Sequence, residues 1–404
     1  MASNKSSTLK TGDLIEVTIE KVAHGGHFIA RHDGAVIFVR HAIPGERCTI
    51  EVTSTGSSFN RGDVVEVHGA SEHRVEAPCR YAHRAGCGGC DFQHIDPAYQ
   101  RTLKADVIKE QFSRIAKMQI EIDVEEVSKS THWRTRAIAT TNRNGKLGFY
   151  KSRSHNVVPV DDCLICVDGM KLNEIAASHL KGDMRIEISS SNTGERTIAL
   201  APIRGEEKAR ISEGPVVLHE KVAGRVLEVS QASFWQSNEK APELLTETVL
   251  DFAQLKSGEH VLDLYGGVGL FTAAIVEAVG SGGHVDLIEG SKVATADAAR
   301  NFANNPNVTI ATGDVAKLLP RITATDVVVL DPPRDGAGKE AIAHIARLAP
   351  RSIVYVACDP AALARDTAYL ADHSYSLVKL RAFDLFPMTH HIECVARFEP
   401  AKVS

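Results

Sequence analysis

The sequence predicts an α/β protein: a doubly wound, mostly parallel sheet in the carboxyl-terminal half, preceded by a small OB-like β-barrel and a mixed α+β centre. Three observations predict it. From about residue 226, strand-like and helix-like runs alternate, as in a parallel sheet covered on both faces. Residues 12–68 instead break into short strand-like runs separated by turn signals, the pattern of a closed or nearly closed barrel. Between these lies a β-rich stretch carrying closely spaced cysteines. A chain of 404 residues suits two or three cores, divided here as 1–70, 71–225 and 226–404.

In the first part, strands are expected at 14–19, 35–39, 48–52 and 64–67. His24-Gly25-Gly26, Asp33-Gly34, Pro44-Gly45 and 60–63 provide the turns. Asp96-Pro97 then opens a helix with an N-cap and a proline in its first turn. Leu103, Val107, Phe112 and Ile115 give that helix an apolar stripe running to about Lys117. Residues 120–225 read as mixed and β-rich, with turns at 142–145 and 192–194. In the last part, strands are expected at 260–264, 284–288, 308–311, 326–330, 352–357, 375–382 and 392–398. No helix pattern separates the last two, so they form an antiparallel pair at one end.

Bulk properties narrow the function classes. Hydrophobic residues make up 43% and charged residues 24%, as in globular proteins, and no apolar run of about 18 residues offers a membrane span. The polar amino terminus (residues 1–12) lacks the apolar core of a secretion signal and reads as a frayed tail, so a cytoplasmic protein is expected. A net charge of -5 disfavours nucleic acid until it is divided along the chain. Residues 1–70 carry 7 Lys+Arg against 8 Asp+Glu, residues 71–160 carry 15 against 10, and residues 161–404 carry 24 against 33. Residues 131–155 hold Arg134, Arg136, Arg143, Lys146, Lys151 and Arg153 with no acid, interleaved with Trp133, Phe149 and Tyr150. That composition suits a phosphate backbone with stacked bases, or a solvated strand face.

Chemistry concentrates at the expected strand ends, where open α/β sheets bind ligands. Residues 261–272, V-L-D-L-Y-G-G-V-G-L-F-T, read as strand, glycine turn and helix start, with Gly266 allowing close approach of a ligand. Glu289 ends the next strand, placed to accept from ribose hydroxyls, and Asp314 ends the third, facing a base. No triphosphate-binding loop is present, so S-adenosylmethionine fits best. Asp331-Pro332-Pro333-Arg334 holds an acid at the fourth strand end. Cys358 closes the fifth strand at the start of a helix, where the helix dipole favours a thiolate. His390 and His391 invite a metal reading, but neighbours on one strand point to opposite faces. Eight cysteines in a cytosolic chain suggest metal ligands or catalytic groups rather than disulfides.

Taken in order, V-L-D-L-Y-G-G-V-G-L-F-T, D-P-P-R, V-Y-V-A-C-D-P and F-P-M-T-H-H-I-E-C-V resemble the motifs of the RNA 5-methyluridine methyltransferases. Residues 233–238, S-F-W-Q-S-N, resemble that family's S-F-x-Q-x-N motif. The barrel resembles the TRAM domain of its larger members. Cys79, Cys87, Cys90 and Cys163 resemble their 4Fe–4S ligands. The resemblance implies a Rossmann-like, S-adenosylmethionine-dependent catalytic sheet and methylation of uridine carbon 5. It gives Cys358 the role of nucleophile and Glu393 that of proton acceptor. Gln236, Tyr265, Glu289 and Asp331 match its cofactor-binding positions.

The chain departs from the family in three places. Cys358-Asp359-Pro360 stands where many members read C-N-P, and an acid beside the thiol opposes its ionisation. Leu270 stands where some members use asparagine. Seven residues separate Cys79 from Cys87, more than the usual five. Cys87-x-x-Cys90 with Cys163-x-x-Cys166 also fits zinc, so cluster and zinc both stay open. The expected partner is RNA, ribosomal RNA ahead of tRNA, and the expected state is a monomer. A non-catalytic RNA-binding protein on the same fold, or methylation of another RNA atom, are the rival readings.

Overall fold

The computed structural model describes residues 9–205 and 207–402. Residues 1–8 of the expected polar tail lie outside the described residues. The barrel closes with five strands: β1 (Leu14–Ala23), β2 (His27–His32), β3 (Ala35–Arg40), β4 (Arg47–Ser54) and β5 (Asn60–Gly69) in the order β1-β2-β3-β5-β4. The sequence reading lacks β2, because H-F-I-A-R-H offers only three apolar residues between two histidines. Closure leaves no bare strand edge, and alternate residues such as Val17, Ile19, Phe28, Ile37, Val39 and Ile50 fill the interior.

Helix α1 (Pro97–Gln111) starts where Asp96 accepts from the Ala98 and Tyr99 N–H groups. It continues through a π-helical turn at Phe112–Ala116, and the left-handed Lys117 ends it. The next segment, β6 (Val124–Glu126), leaves the centre of the chain and joins the outer edge of the carboxyl-terminal sheet. The central sheet consists of β7 (Arg136–Thr141), β8 (Leu147–Tyr150), β9 (Val157–Pro159), β10 (Met184–Ser190), β11 (Arg196–Pro202) and β12 (Arg210–Glu213). Its order is β12-β11-β10-β7-β8-β9, with the short α2 (Leu172–Ala177) packed beside it. Tight turns at 142–145 and 191–194 fall where Asn and Gly supply them. A hairpin of β13 (Val217–Val222) and β14 (Arg225–Ser230) spans position 225.

The last part is doubly wound. Its elements are α3 (Ala241–Ala253), β15 (His260–Leu264), α4 (Leu270–Val279), β16 (His284–Glu289), α5 (Lys292–Asn301), β17 (Val308–Thr312), α6 (Val315–Leu318) and β18 (Val327–Leu330). There follow α7 (Gly338–Arg347), β19 (Ser352–Ala357), α8 (Pro360–Asp372), β20 (Tyr375–Asp384) and β21 (Glu393–Pro400). Sheet order is β17-β16-β15-β18-β19-β21-β20-β6, with β17 to β19 parallel and β21 antiparallel to both β19 and β20. The antiparallel end pair therefore appears as expected. The continuous apolar runs V-V-V-L in β18 and S-I-V-Y-V-A in β19 are buried on both faces, as central parallel strands require.

Barrel and sheet share one apolar core, in which Phe28 and Ile43 join Leu103 and Ile108 of α1 and Tyr355 and Phe398 of the sheet. Lys104 of α1 is buried and reaches Asp384 at 2.6 Å and the Phe386 carbonyl at 3.2 Å. An isolated buried ammonium costs several kcal/mol, so this paired geometry fixes how α1 seats on the sheet.

Candidate active site

The carboxyl ends of the parallel strands carry four acidic groups that sequence separates and topology gathers. Asp263 lies within β15, Glu289 ends β16, Asp331 follows β18 and Glu393 begins β21. Burial, with Asp263 and Glu289 close by, pushes the Asp331 carboxyl up to about 7. Burial also raises Asp263 to about 7, against the hydrogen bonds it accepts from the Thr272 N–H (3.0 Å) and hydroxyl (2.5 Å). Glu393 is 3% exposed, and burial beside Asp331 raises its carboxyl well above the usual range.

Register brings the two candidate reacting groups face to face. Ala357 pairs with Cys394 across β19 and β21, so Cys358 and Glu393 stand opposite each other one step beyond that pair. Burial, then the charges of Glu393 and Asp331, push the Cys358 thiol up to about 12, while Arg334 works the other way. Asp359 caps α8 by accepting from the Ala361 and Ala362 N–H groups at 2.9 and 2.8 Å. Burial works to raise the Asp359 carboxyl, yet a hydrogen bond with His24 and these two N–H groups hold it below the ordinary value. The acid after the nucleophile position is thus already compensated.

The other expected cofactor positions lie beside Asp331 or at the same strand ends. Gln236 is nearly buried and its Nε2 donates to Asp331 Oδ2 at 3.4 Å. Tyr265 adopts φ 60°, a left-handed turn conformation, and burial with Asp314 and Asp366 nearby raises its phenol to about 12. Glu289 accepts from the Gly267 N–H at 3.1 Å and the Ser291 N–H at 2.6 Å, holding the glycine turn. A Cβ on Gly266 would stand 2.7 Å from Leu287 Cγ and 3.1 Å from Asp263 Cγ, so only glycine fits. Asp314 caps α6 through the Lys317 N–H at 3.1 Å. Asp263 escaped the sequence reading, though a lone acid inside V-L-D-L is a legible signal. Its Oδ1 is buried without a hydrogen-bond partner. A pocket of buried carboxylates, one with an orphaned oxygen, suits a cationic ligand such as a sulfonium with an ammonium group.

A second site lies between barrel, centre and the approach to β21. Cys79, Cys87, Cys90 and Cys163, with Cys166 as a fifth, line one cavity of about 470 Å³ that also meets Arg40, Arg134 and Arg153. Burial raises the Cys87 and Cys90 thiols to about 11 and 12. Cys163 instead falls to about 7, because the Cys166 thiol hydrogen-bonds to it, against burial. Among the described residues, no group of three or more His, Cys, Asp or Glu is placed to hold a metal ion. The cavity nonetheless brings thiols and guanidinium groups together.

Three expectations need correction. Trp133 is fully buried and packs on Ile165 and Met388, so it is core and offers no stacking platform. Arg136 is engaged with Glu220 at 3.3 Å, also out of reach of a phosphate. His390 and His391 precede β21 rather than lying on it, and their rings are 4.2 Å apart, not on opposite faces. His390 Nδ1 meets Asp91 Oδ2 at 2.6 Å, and burial beside His390 drives His391 down to about 3. No helix among the described residues is long and apolar enough to cross a membrane.

Comparison with known proteins agrees with this architecture. Residues 9–65 match the TRAM domain family, and residues 319–399 match the family described as tRNA (Uracil-5-)-methyltransferase. An RNA methyltransferase of Streptomyces avermitilis, itself uncharacterized, is 41% identical over 96% of this chain and 99% of its own. One of Corynebacterium efficiens is 36% identical over 98% and 97%. The crystal structure of Pyrococcus abyssi tRNA (uracil-54, C5)-methyltransferase in complex with S-adenosyl-L-homocysteine superposes with a TM-score of 0.74. It covers 95% of this chain and 99% of that one at 21% identity, a likeness of fold. The chain belongs to the RNA methyltransferases that join a TRAM domain to a (uracil-5-)-methyltransferase domain.

Proposed function

We propose that this protein transfers a methyl group from S-adenosylmethionine to carbon 5 of a uridine in RNA, through a covalent link between Cys358 and carbon 6 of the base. The observation that carries this reading is the opposition of half-buried Cys358 and buried Glu393 beside Asp331. Carbon 5 of uracil is a weak nucleophile. Addition of the Cys358 thiolate to carbon 6 moves electron density onto carbon 5 as an enolate. S-adenosylmethionine, when bound, supplies the electrophilic methyl group. Glu393 then takes the carbon-5 proton, and the electron pair released expels Cys358 from carbon 6. A carboxylate with a raised pKa is a stronger base than an exposed one, which suits Glu393 to a carbon acid. Gln236, Tyr265, Gly266, Glu289, Asp314 and Asp331 would hold the cofactor.

In this reading residues 1–70 and 71–225 grip RNA while residues 226–404 carry the chemistry. Arg143, Lys146, Lys151 and Arg153, with half-exposed Tyr150, provide the remaining basic surface. Cys79, Cys87, Cys90 and Cys163 would hold a 4Fe–4S cluster that ties these parts together, with zinc as the alternative. The protein would act as a cytoplasmic monomer. The barrel and the cysteine set favour ribosomal RNA by family habit. The whole-chain likeness to a tRNA methyltransferase favours tRNA.

The test is to delete the gene and quantify 5-methyluridine by mass spectrometry in separately purified rRNA and tRNA. Loss in one fraction names the substrate. RNA containing 5-fluorouridine should trap a protein adduct, since fluorine cannot leave as a proton. Absence of both adduct and methyl transfer with purified protein overturns the reading.

A further inference from the structure

The turn between β1 and β2 reaches out of the barrel to the segments that flank both candidate reacting groups. His24 Nε2 lies 2.9 Å from Asp359 Oδ2, and Asp359 directly follows Cys358. The second oxygen of Asp359 holds the start of α8 through two backbone N–H groups. Two residues past His24, Gly26 presses on His390 at φ 76°. A Cβ there would stand 2.8 Å from His390 Nδ1 and 3.0 Å from Asp91 Cγ. His390 lies three residues before Glu393. One barrel turn therefore braces the segment after the thiol and the segment before the carboxylate.

We propose that His24 is a positioning residue for methyl transfer: by fixing Asp359 it sets the start of α8 and, with it, the Cys358 thiol. This rests on the role given to Cys358 above. The thiol is faced by the carboxylates of Glu393, Asp331 and Asp359, opposed by the Arg334 guanidinium. An aspartate in this position needs its charge occupied, and His24 with two N–H groups occupies it. The barrel that would hold RNA is thereby linked to the group that attacks the base, through one hydrogen bond across 335 positions of sequence.

The experiment uses the full-length protein with His24→Ala and His24→Gln. The rate of Cys358 alkylation by iodoacetamide is measured against pH by peptide mass spectrometry, without RNA or cofactor. With His24→Ala, Asp359 is left less compensated, so between pH 7 and 9 the alkylation rate, which follows the thiolate fraction, shifts down roughly three- to tenfold. His24→Gln retains an N–H donor and recovers most of the shift. In methyl transfer, His24→Ala lowers kcat roughly five- to tenfold, with KM for RNA changed less than about twofold. An unmoved alkylation profile overturns the proposal, as does a defect confined to RNA affinity. Should His24→Ala lose its native circular dichroism, His24→Asn, too short to reach the carboxylate, replaces it with the same expectations. Alkylation needs no uridine chemistry. Wild-type protein inactive on RNA would therefore indict the proposed function and leave the His24 result readable.

Discussion

Two thiol sites in this molecule are built with opposite electrostatics. Around Cys358 the neighbours are mainly carboxylates, and the thiol is pushed up to about 12. Around the five-cysteine cavity stand Arg40, Arg134 and Arg153; burial raises Cys87 and Cys90 there to about 11 and 12 as well, whereas Cys163, hydrogen-bonded by the Cys166 thiol, falls to about 7. The more readily ionised thiol is thus not the one proposed to attack. An acidic pocket gains most from a cation and a basic, thiol-lined cavity from an anion. In the proposed mechanism, Cys358 would stay protonated until a positively charged cofactor arrives.

The sharpest test removes the nucleophile. Cys358→Ala should cut methyl transfer on the order of 10⁴-fold or more and abolish the 5-fluorouridine adduct. Wild-type rates in that variant would assign the chemistry elsewhere. Glu393→Gln should cost roughly 10²- to 10⁴-fold, but with a distinct signature. Addition and methylation precede proton removal, so a covalent complex with ordinary RNA should accumulate and be visible by denaturing electrophoresis.

The cavity is probed through its fifth cysteine. If the cavity holds the proposed cluster, Cys87→Ser should lose its iron and its visible absorption, whereas Cys166→Ser should keep both. Zinc rather than iron in the purified protein would replace the cluster reading. Either variant should change methyl transfer at most roughly tenfold, since the cavity would serve structure.

A smaller effect follows from charge. Asp331 and Asp263 sit near 7 in the folded protein, raised from an ordinary value of about 3.9. Below pH 7 they take up protons and the pocket loses attraction for a cation. The affinity for S-adenosylmethionine should therefore weaken as pH falls from 8 to 6, by up to roughly tenfold per unit for one obligatory ionisation. S-adenosylhomocysteine, which lacks the sulfonium charge, should respond less. Calorimetry with both ligands decides it; equal slopes would dissolve the contrast between the two sites.

The sheet was legible because each β–α unit writes its own period and turn. The strands β15 to β19 and the helix opened by Asp96-Pro97 fall where local pattern places them. Strand β6 escaped because V-E-E carries no pattern of its own and pairs with a strand some 260 residues away. The histidine pair was misplaced because its strand begins two residues later, at Glu393. Motif residues announced the strand-end site and Asp263 was legible as a lone acid inside V-L-D-L, but the His24–Asp359 contact depends on a distance no local pattern encodes. Trp133 and Arg136 show the converse: composition of a basic stretch says nothing about which side chains burial and Glu220 consume.

Strand β6 and helix α1 precede the proposed catalytic part, yet one pairs with Ala382–Asp384 at the end of the edge strand β20 and the other covers its face with a buried lysine–aspartate pair. A fragment beginning at residue 226 would bare those three residues of β20, uncover the apolar face beneath α1 and leave Asp384 bereft. Such an excised piece should self-associate rather than stand as a minimal enzyme. The boundary between the parts is thus drawn by pattern and crossed by packing: the proposed catalytic part leans on the segment that wraps it.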